Sequence, residues 1–250
     1  MRKITNRNTF LYRGIPFRFS GRREVVKRIS NLPKQETFCR IATVGPEFLL
    51  RAGDDAEFGQ NLQRADLCVA DGVGVVIAGM FFGKRLERFS GADLLLEIFE
   101  KAEESNLSIF LAAKKDGLSS LSEIRNVLLK QYPTLRVFGE EYADSIHWQV
   151  HDTALEFSGA QIVLCNFGAP EQEYFAESLR ENAKSIKLCM GVGGAFDFLT
   201  GKIPRAPRLV RAVGFEWLWR LAFQPKRWRR VFRAVVIFPA SVLVEKFCGK

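Results

Sequence analysis

Two acidic residues in this chain stand where an apolar run breaks at glycine. Leu67-Cys68-Val69-Ala70 ends in Asp71-Gly72-Val73-Gly74, and the run Ile186 to Met190 leads into Gly191-Val192-Gly193-Gly194-Ala195-Phe196-Asp197. A short apolar run bounded by glycine suits a buried parallel strand. An acid at the carboxyl end of such a strand points into the crevice where open α/β sheets bind ligands. Asp71 is therefore the first candidate for a working carboxylate, and Asp197 occupies the equivalent place on the second run. Helix capping and Asp-Gly turn chemistry are the plain alternatives for Asp71. The glycine run departs from the dinucleotide fingerprint at Phe196 and has no Gly-Lys-Ser/Thr. The backbone at Gly193 and Gly194 can still form an anion nest.

Three further stretches carry polar groups at turns. Asn166-Phe167-Gly168-Ala169-Pro170-Glu171-Gln172-Glu173 follows one strand pattern and opens a helix. Gly168 permits close approach, the helix start favours an anion, and Gln172 beside Glu173 offers a donor and an acceptor to a sugar or base. An ordinary strand-to-helix turn explains the same residues. Arg88 precedes the helix start at Ser90-Gly91-Ala92-Asp93 and can grip a phosphate, or form a surface ion pair. His147 and His151 lie four apart but lack a His-Glu-x-x-His pattern, and no Asp-x-Asp occurs. The chain therefore offers no recognisable metal site and calls for no cofactor. There is no Gly-x-Ser-x-Gly elbow either.

Positioning these residues requires strands alternating with helices. Strand patterns run over Ile15 to Phe19, Phe38 to Thr43, the Asp71 run, Leu107 to Ala112, 134–138, Gln161 to Cys165 and Ile186 to Met190. Helical patterns fall at 55–64, 73–82, 91–103, 117–130, 145–157 and 171–182, with another capped by Ser20 and carrying Val25, Val26 and Ile29. The alternation predicts an α/β fold: a mostly parallel open sheet, Rossmann-like, with helices on both faces. Residues before Ile15 read as a polar leader.

The 250 residues can bury a sizeable core, with ordinary 47% hydrophobic and 26% charged content. No signal-peptide pattern and no spanning run of apolar residues appears. Cys39, Cys68, Cys165, Cys189 and Cys248 are odd in number and without a C-x-x-C pair, which reads as reduced thiols in a cytoplasmic protein. Charge is uneven. From Lys202 onward twelve basic residues face only Glu216 and Glu245, a net +10, which leaves −1 for the rest of a chain carrying +9. The division is therefore a near-neutral core over 1–201 and a basic appendage over 202–250. Within the appendage Trp228, Val231, Phe232, Val235 and Val236 fall at helical spacing opposite Lys226, Arg229, Arg230 and Arg233. This amphipathic helix, with Trp219, Trp228, Arg229, Phe232 and Arg233, fits a membrane interface. Docking on the sheet and binding nucleic acid are the alternatives.

Taken in order, these stretches resemble the bacterial WecG/TagA/CpsF glycosyltransferases (glycosyltransferase family 26). The resemblance rests on Thr43 near Pro46-Glu47, Ala65-Asp66, Asp71-Gly72-Val73-Gly74, Arg88 to Asp93, Gly168 to Glu173, Gly191 to Asp197, Arg205-Ala206-Pro207 and Gly214-Phe215-Glu216-Trp217-Leu218. It spans about Gly14 to Arg230. It implies an inverting, metal-independent hexosyltransferase at the inner face of the cytoplasmic membrane. The donor would be a UDP-sugar, N-acetylmannosamine-type or a uronic acid, and the acceptor a polyprenyl-diphosphate-linked saccharide of cell-surface polysaccharide synthesis. The catalytic acid falls on Asp71 and the active-site threonine on Thr43. Arg220, Arg227 and Arg230 match the family's basic appendage, and Arg88 with the 191–194 nest joins them in meeting the leaving diphosphate. An exposed, ionised Asp71 would serve as base without tuning. Two departures stand out: Gly45 where many members have Asn, and Ala70 where many have Pro.

The resemblance implies no nucleic-acid partner and leaves a homo-oligomer open. The rival readings are a non-enzymatic basic binder of membrane or nucleic acid on an α/β scaffold, and a relative that binds UDP but transfers nothing.

Overall fold

The computed structural model describes residues 8–143, 155, 158–182 and 185–248. The helix expected over 145–157, including His147 and His151, lies outside them except for Leu155. Six strands form one sheet: β3 (Cys39–Val44), β4 (Leu67–Ala70), β5 (Ser108–Lys114), β6 (Arg136–Tyr142), β7 (Ile162–Cys165) and β8 (Leu188–Gly191). Their order is β4-β3-β8-β7-β5-β6, and every neighbouring pair is parallel. The four strands β3, β4, β7 and β8 are buried at every residue, which is why they read as apolar runs, broken only by Arg40 and Thr43 on β3.

Helices cover both faces, as the alternation requires. On one face α1 (Arg22–Ser30), α5 (Gly91–Glu104), α6 (Leu121–Gln131) and α8 (Ala195–Leu199) pack into a core with Ile41, Val69 and Leu111. The other carries α2 (Pro46–Asp54), α3 (Ala56–Gln63), α4 (Val73–Phe81) and α7 (Glu171–Asn182), over Ala42, Val44 and Val163. β3 thus feeds α2 on one face while its neighbour β8 feeds α8 on the other. Such a reversal opens a crevice at the strands' carboxyl ends. Thr43 spans it, its hydroxyl donating to the Gly191 carbonyl at 3.3 Å.

The polar leader is structured after Asn8. β1 (Thr9–Tyr12) and β2 (Ile15–Arg18) form an antiparallel hairpin, turned by Arg13 (φ 48°) and Gly14 (φ 75°). Positive φ at both turn residues matches the twist of the strands. Alternation over only four residues hid β1 in the sequence, yet Phe10, Tyr12 and Phe17 all point into the core.

That hairpin docks the appendage. The appendage comprises α9 (Arg208–Ala212), α10 (Glu216–Phe223), α11 (Trp228–Phe232), a π-helical segment (Arg233–Ile237) and α12 (Phe238–Cys248). Phe238 and Val242 are buried in the same core as β1 and β2, Tyr12 Oη lies 2.6 Å from Ser241 Oγ, and the Tyr12 and Phe238 rings are 5.7 Å apart. Burying a phenyl ring contributes about 1.5–3 kcal/mol. The appendage therefore packs on its own body, and the single apolar stripe expected over 228–236 divides. Val231 and Val235 turn to a cavity, while Trp228, Phe232 and Val236 are largely exposed. The π segment, in which the Phe238 amide reaches the Arg233 carbonyl, widens the turn just before Pro239, which has no amide hydrogen to give.

One charge is buried in the sheet. Arg40 on β3 is wholly inaccessible; its Nη1 donates to Asn61 Oδ1 (2.7 Å) and the Glu173 carbonyl (2.9 Å), and pairs with Glu177 at 3.3 Å. Deleting one member of a buried pair leaves the others desolvated and unmatched. Arg40→Ala is expected to lower unfolding free energy by about 3–5 kcal/mol in urea titrations. A loss under about 1 kcal/mol would mean the network is solvated.

Candidate active site

The crevice deepens into a cavity of about 490 Å³, a size suited to a small-molecule ligand. Its floor is the carboxyl ends of β3 and β4 with Thr43, Pro46, Glu47, Asp71 and Gly72; its roof is the appendage, through Phe215, Glu216, Arg220, Arg227, Arg230 and Val231. α4 begins at the floor because Gly72 adopts φ 105°, a conformation that side chains resist. Gly214 (φ 83°) lets the appendage cross the start of α4, since a Cβ there would lie 2.8 Å from the Cβ of Val73.

Asp71 stands one residue beyond β4, its amide donating to the Val44 carbonyl at 2.9 Å. The sequence expectation of an exposed, unperturbed carboxylate is corrected here. Burial pushes Asp71 up to about 6, Glu47 and Glu216 push the same way, and Arg88 and Arg230 pull it back. A carboxylate under a roof, beside two others, holds a proton more tightly than one in water.

Glu47 and Glu216 are the site residues that the sequence reading passed over. Glu47 lies in the first turn of α2 and reads as an ordinary helix-start acid. A Cβ on Gly45 would fall 2.9 Å from Glu47 Oε2 and 3.5 Å from the Asp71 carbonyl oxygen, so Glu47 fills the space beside Gly45 that a side chain would take. It pairs with Arg230 of the appendage. Glu216 pairs with Arg88 at 2.9 Å. The signal for Glu216 was present: one of two acids among twelve basic residues needs a reason to be there.

Arg88 lines the cavity, but its guanidinium is spent on the roof, donating to Glu216 and to the Arg211 carbonyl. A second clasp lies beside it, where Asp93 takes Arg205 at 2.6 Å and Arg211 at 3.5 Å. Arg88 is thus first a tether for the appendage, and only its remaining edge faces a ligand.

The expected nest is also used differently. Val192 and Ala195 line the cavity, whereas Gly193 and Gly194 do not. Arg220 Nη2 donates to the Gly194 carbonyl at 3.2 Å, and a Cβ on Gly194 would sit 1.9 Å from that nitrogen. The missing side chain at Gly194 thus makes room for the Arg220 guanidinium. Asp197 holds Arg220 at 3.9 Å and is itself fixed by the buried Ser119 hydroxyl at 3.0 Å. Arg220 also lies over the Phe198 ring at 4.8 Å.

Gly168, Gln172 and Glu173 gather at the end of β7 but line no part of this cavity. Gln172 is buried, accepting from the Gly168 amide at 3.2 Å and donating to Glu173 at 3.2 Å. A Cβ on Gly191 would meet its amide nitrogen at 2.4 Å, so Gln172 packs under β8. Burial pushes the Glu173 carboxyl up. These two side chains support the crevice from beneath.

Three appendage arginines converge. Burial pulls Arg220 down; burial with the charges of Arg220 and Arg230 pulls Arg227 down to about 9, still protonated at neutral pH. The Arg227 guanidinium donates to Gln224 Oε1 (3.0 Å) and has no carboxylate partner among the described residues. A partly buried cation crowded by two others has the charge to receive an anion.

The WecG/TagA/CpsF glycosyl transferase family model matches residues 11–250. The chain belongs to this family. It is accordingly a glycosyltransferase of polysaccharide synthesis, and the match takes in both the sheet and the appendage that roofs the site. Among the described residues no helix is long and apolar enough to cross a membrane. On the outer surface Arg229 lies over the Trp228 ring at 5.4 Å and Arg233 pairs with Asp54 at 3.7 Å, while the half-buried Trp219 donates to the Pro204 carbonyl.

The Asp71 titration is directly measurable. With ¹³C-labelled aspartate, its carboxyl resonance is expected to titrate with a midpoint of about 6. A midpoint near the ordinary value of roughly 4 would mean that water reaches the carboxylate freely.

Proposed function

We propose that the chain transfers a sugar from a UDP-sugar to a hydroxyl of a polyprenyl-diphosphate-linked saccharide, with inversion and without a metal ion. The observation that carries this reading is the pairing, in one roofed cavity, of a raised carboxylate at Asp71 with Arg227, a cation without a carboxylate partner among the described residues. Inversion needs a single in-line displacement. The acceptor oxygen bonds to the anomeric carbon, the bond from that carbon to the UDP oxygen breaks, and the acceptor proton passes to Asp71. A base that titrates near 6 is ionised at neutral pH and binds the proton better than an exposed aspartate would. Charge gathers on the departing diphosphate, where Arg227, Arg220 and Arg230 supply positive charge inside a low-dielectric pocket. Thr43, whose proton is given to Gly191, keeps its lone pairs for a hydroxyl of donor or acceptor.

The surface fits the acceptor. Trp228, Phe232 and Phe247 are about half exposed or more, near Arg229 and Arg233, an arrangement suited to the interface of an anionic membrane. Cytoplasmic-face association would bring the roofed cavity to the depth where a lipid diphosphate surfaces.

The test is transfer from a panel of UDP-sugars to synthetic polyprenyl-diphosphate saccharides, with vesicles and EDTA, comparing wild type with Asp71→Asn. We expect transfer from one donor that survives EDTA and falls by about 10²–10⁴ in the variant. The acid limb of kcat/KM should lie at about 6, since Asp71 must lose its proton first. Equal rates in the variant would remove Asp71 as base. Vesicle binding with no transfer from any donor would favour the non-enzymatic binder or the inactive relative.

A further inference from the structure

The charges around the cavity are nearly all matched before any ligand arrives. Arg88 is held by Glu216, Arg230 by Glu47, and Arg220 by Asp197. Among the described residues, that leaves Arg227 as the cavity arginine without a carboxylate. A sugar nucleotide carries two negative charges on its diphosphate, so it already takes up more positive charge than the cavity has free. A third negative charge would have nothing to meet.

Its position would make matters worse. In the proposed reaction the anomeric carbon sits within bonding reach of the hydroxyl that Asp71 deprotonates. The sugar ring therefore lies beside Asp71, and Glu47 is a neighbour of that same carboxylate. Glu47 reaches there because residue 45 is glycine: any Cβ at Gly45 would crowd Oε2 at 2.9 Å and Cδ at 3.3 Å. The backbone of Gly45 (φ −94°, ψ 174°) is one that any residue adopts. Its lack of a side chain thus gives room to a carboxylate without being needed for the turn.

We infer that the donor sugar is uncharged, and that Glu47, admitted by Gly45 and neutralising Arg230, is the residue that bars uronic-acid donors. This rests on the proposed transferase reading and narrows its substrate class. With Glu47 in place, a C6 carboxylate meets two acids and finds its natural partner, Arg230, already taken. Without that charge Arg230 is released to pair with it, and the bar is lifted.

The test uses a pair of nucleotides that differ only at C6, UDP-glucose and UDP-glucuronate, with binding followed by calorimetry and UDP alone as reference. Wild type is expected to bind the uronate weaker by about tenfold or more, from like charges a few ångströms apart at an effective dielectric near 20. Glu47→Gln keeps the shape and removes the charge, and should bring the two affinities within about threefold. Gly45→Ala, which displaces the Glu47 carboxylate without deleting it, should narrow the ratio as well; it serves as a second probe if Glu47→Gln fails to fold. Glu47→Asp, which keeps the charge, should retain the discrimination. Equal binding of the two nucleotides by wild type would overturn this inference and leave the transferase reading standing. An unchanged ratio in both Glu47→Gln and Gly45→Ala would remove Glu47 from the role. Failure to bind UDP or either sugar nucleotide would overturn the transferase reading, and this inference with it.

Discussion

Three carboxylates in one half-closed cavity repel one another, and the site exists because arginines from two parts of the chain offset that repulsion. At an effective dielectric near 20, like charges a few ångströms apart cost on the order of several kcal/mol. The compensation is crossed. A body arginine, Arg88, holds an appendage acid, Glu216, while a body acid, Glu47, holds an appendage arginine, Arg230. Neither half carries a balanced cavity alone. The near-neutral core and the strongly basic appendage are therefore two sides of one electrostatic arrangement rather than a catalytic domain with a separate anchor.

Apolar contact sets where that arrangement forms. The β1–β2 hairpin and α4 give Phe238 and Val242 a dry seat, and the glycines at 72 and 214 let the chain pass closely where the roof meets the floor. The same helical stretch then does two jobs. Val231 and Val235 face the cavity, while Trp228 and Phe232 face outward, with the π segment marking the change. A helix that closes the cavity on one side and presents aromatic and basic groups on the other suits the proposed reaction between a dissolved donor and a lipid-borne acceptor.

The sheet and its most important carboxylate were legible because they obey local rules. A parallel strand buried on both faces reads as an apolar run, and the cavity-lining acid at its end interrupts that run at Asp71. The first strand of the hairpin was not legible, since four alternating residues among polar neighbours carry too little signal. Nor were the roles within motifs. Gly194 and Gln172 have the residue types of a ligand loop, yet one admits Arg220 and the other packs beneath Gly191. Short-range pattern shows that a backbone can approach something closely; it does not say whether that something is ligand or protein.

By itself the sequence determined the α/β architecture, the family resemblance, the placing of Asp71 and Thr43 at strand ends, and the concentration of positive charge after Lys202. The resemblance rests on motifs taken in order; the others follow from periodicity, from glycine at strand ends and from charge counting, all of which act over a few residues or need no geometry. The tertiary structure alone decided that Asp71 is partly buried and raised, that Arg88 clasps the appendage, and that Glu47 holds Arg230. Arg88 meets Glu216 across 128 positions and Glu47 meets Arg230 across 183, at a cavity that the folded chain only partly closes. Electrostatic energy is set by distance and dielectric, and only the folded chain fixes either.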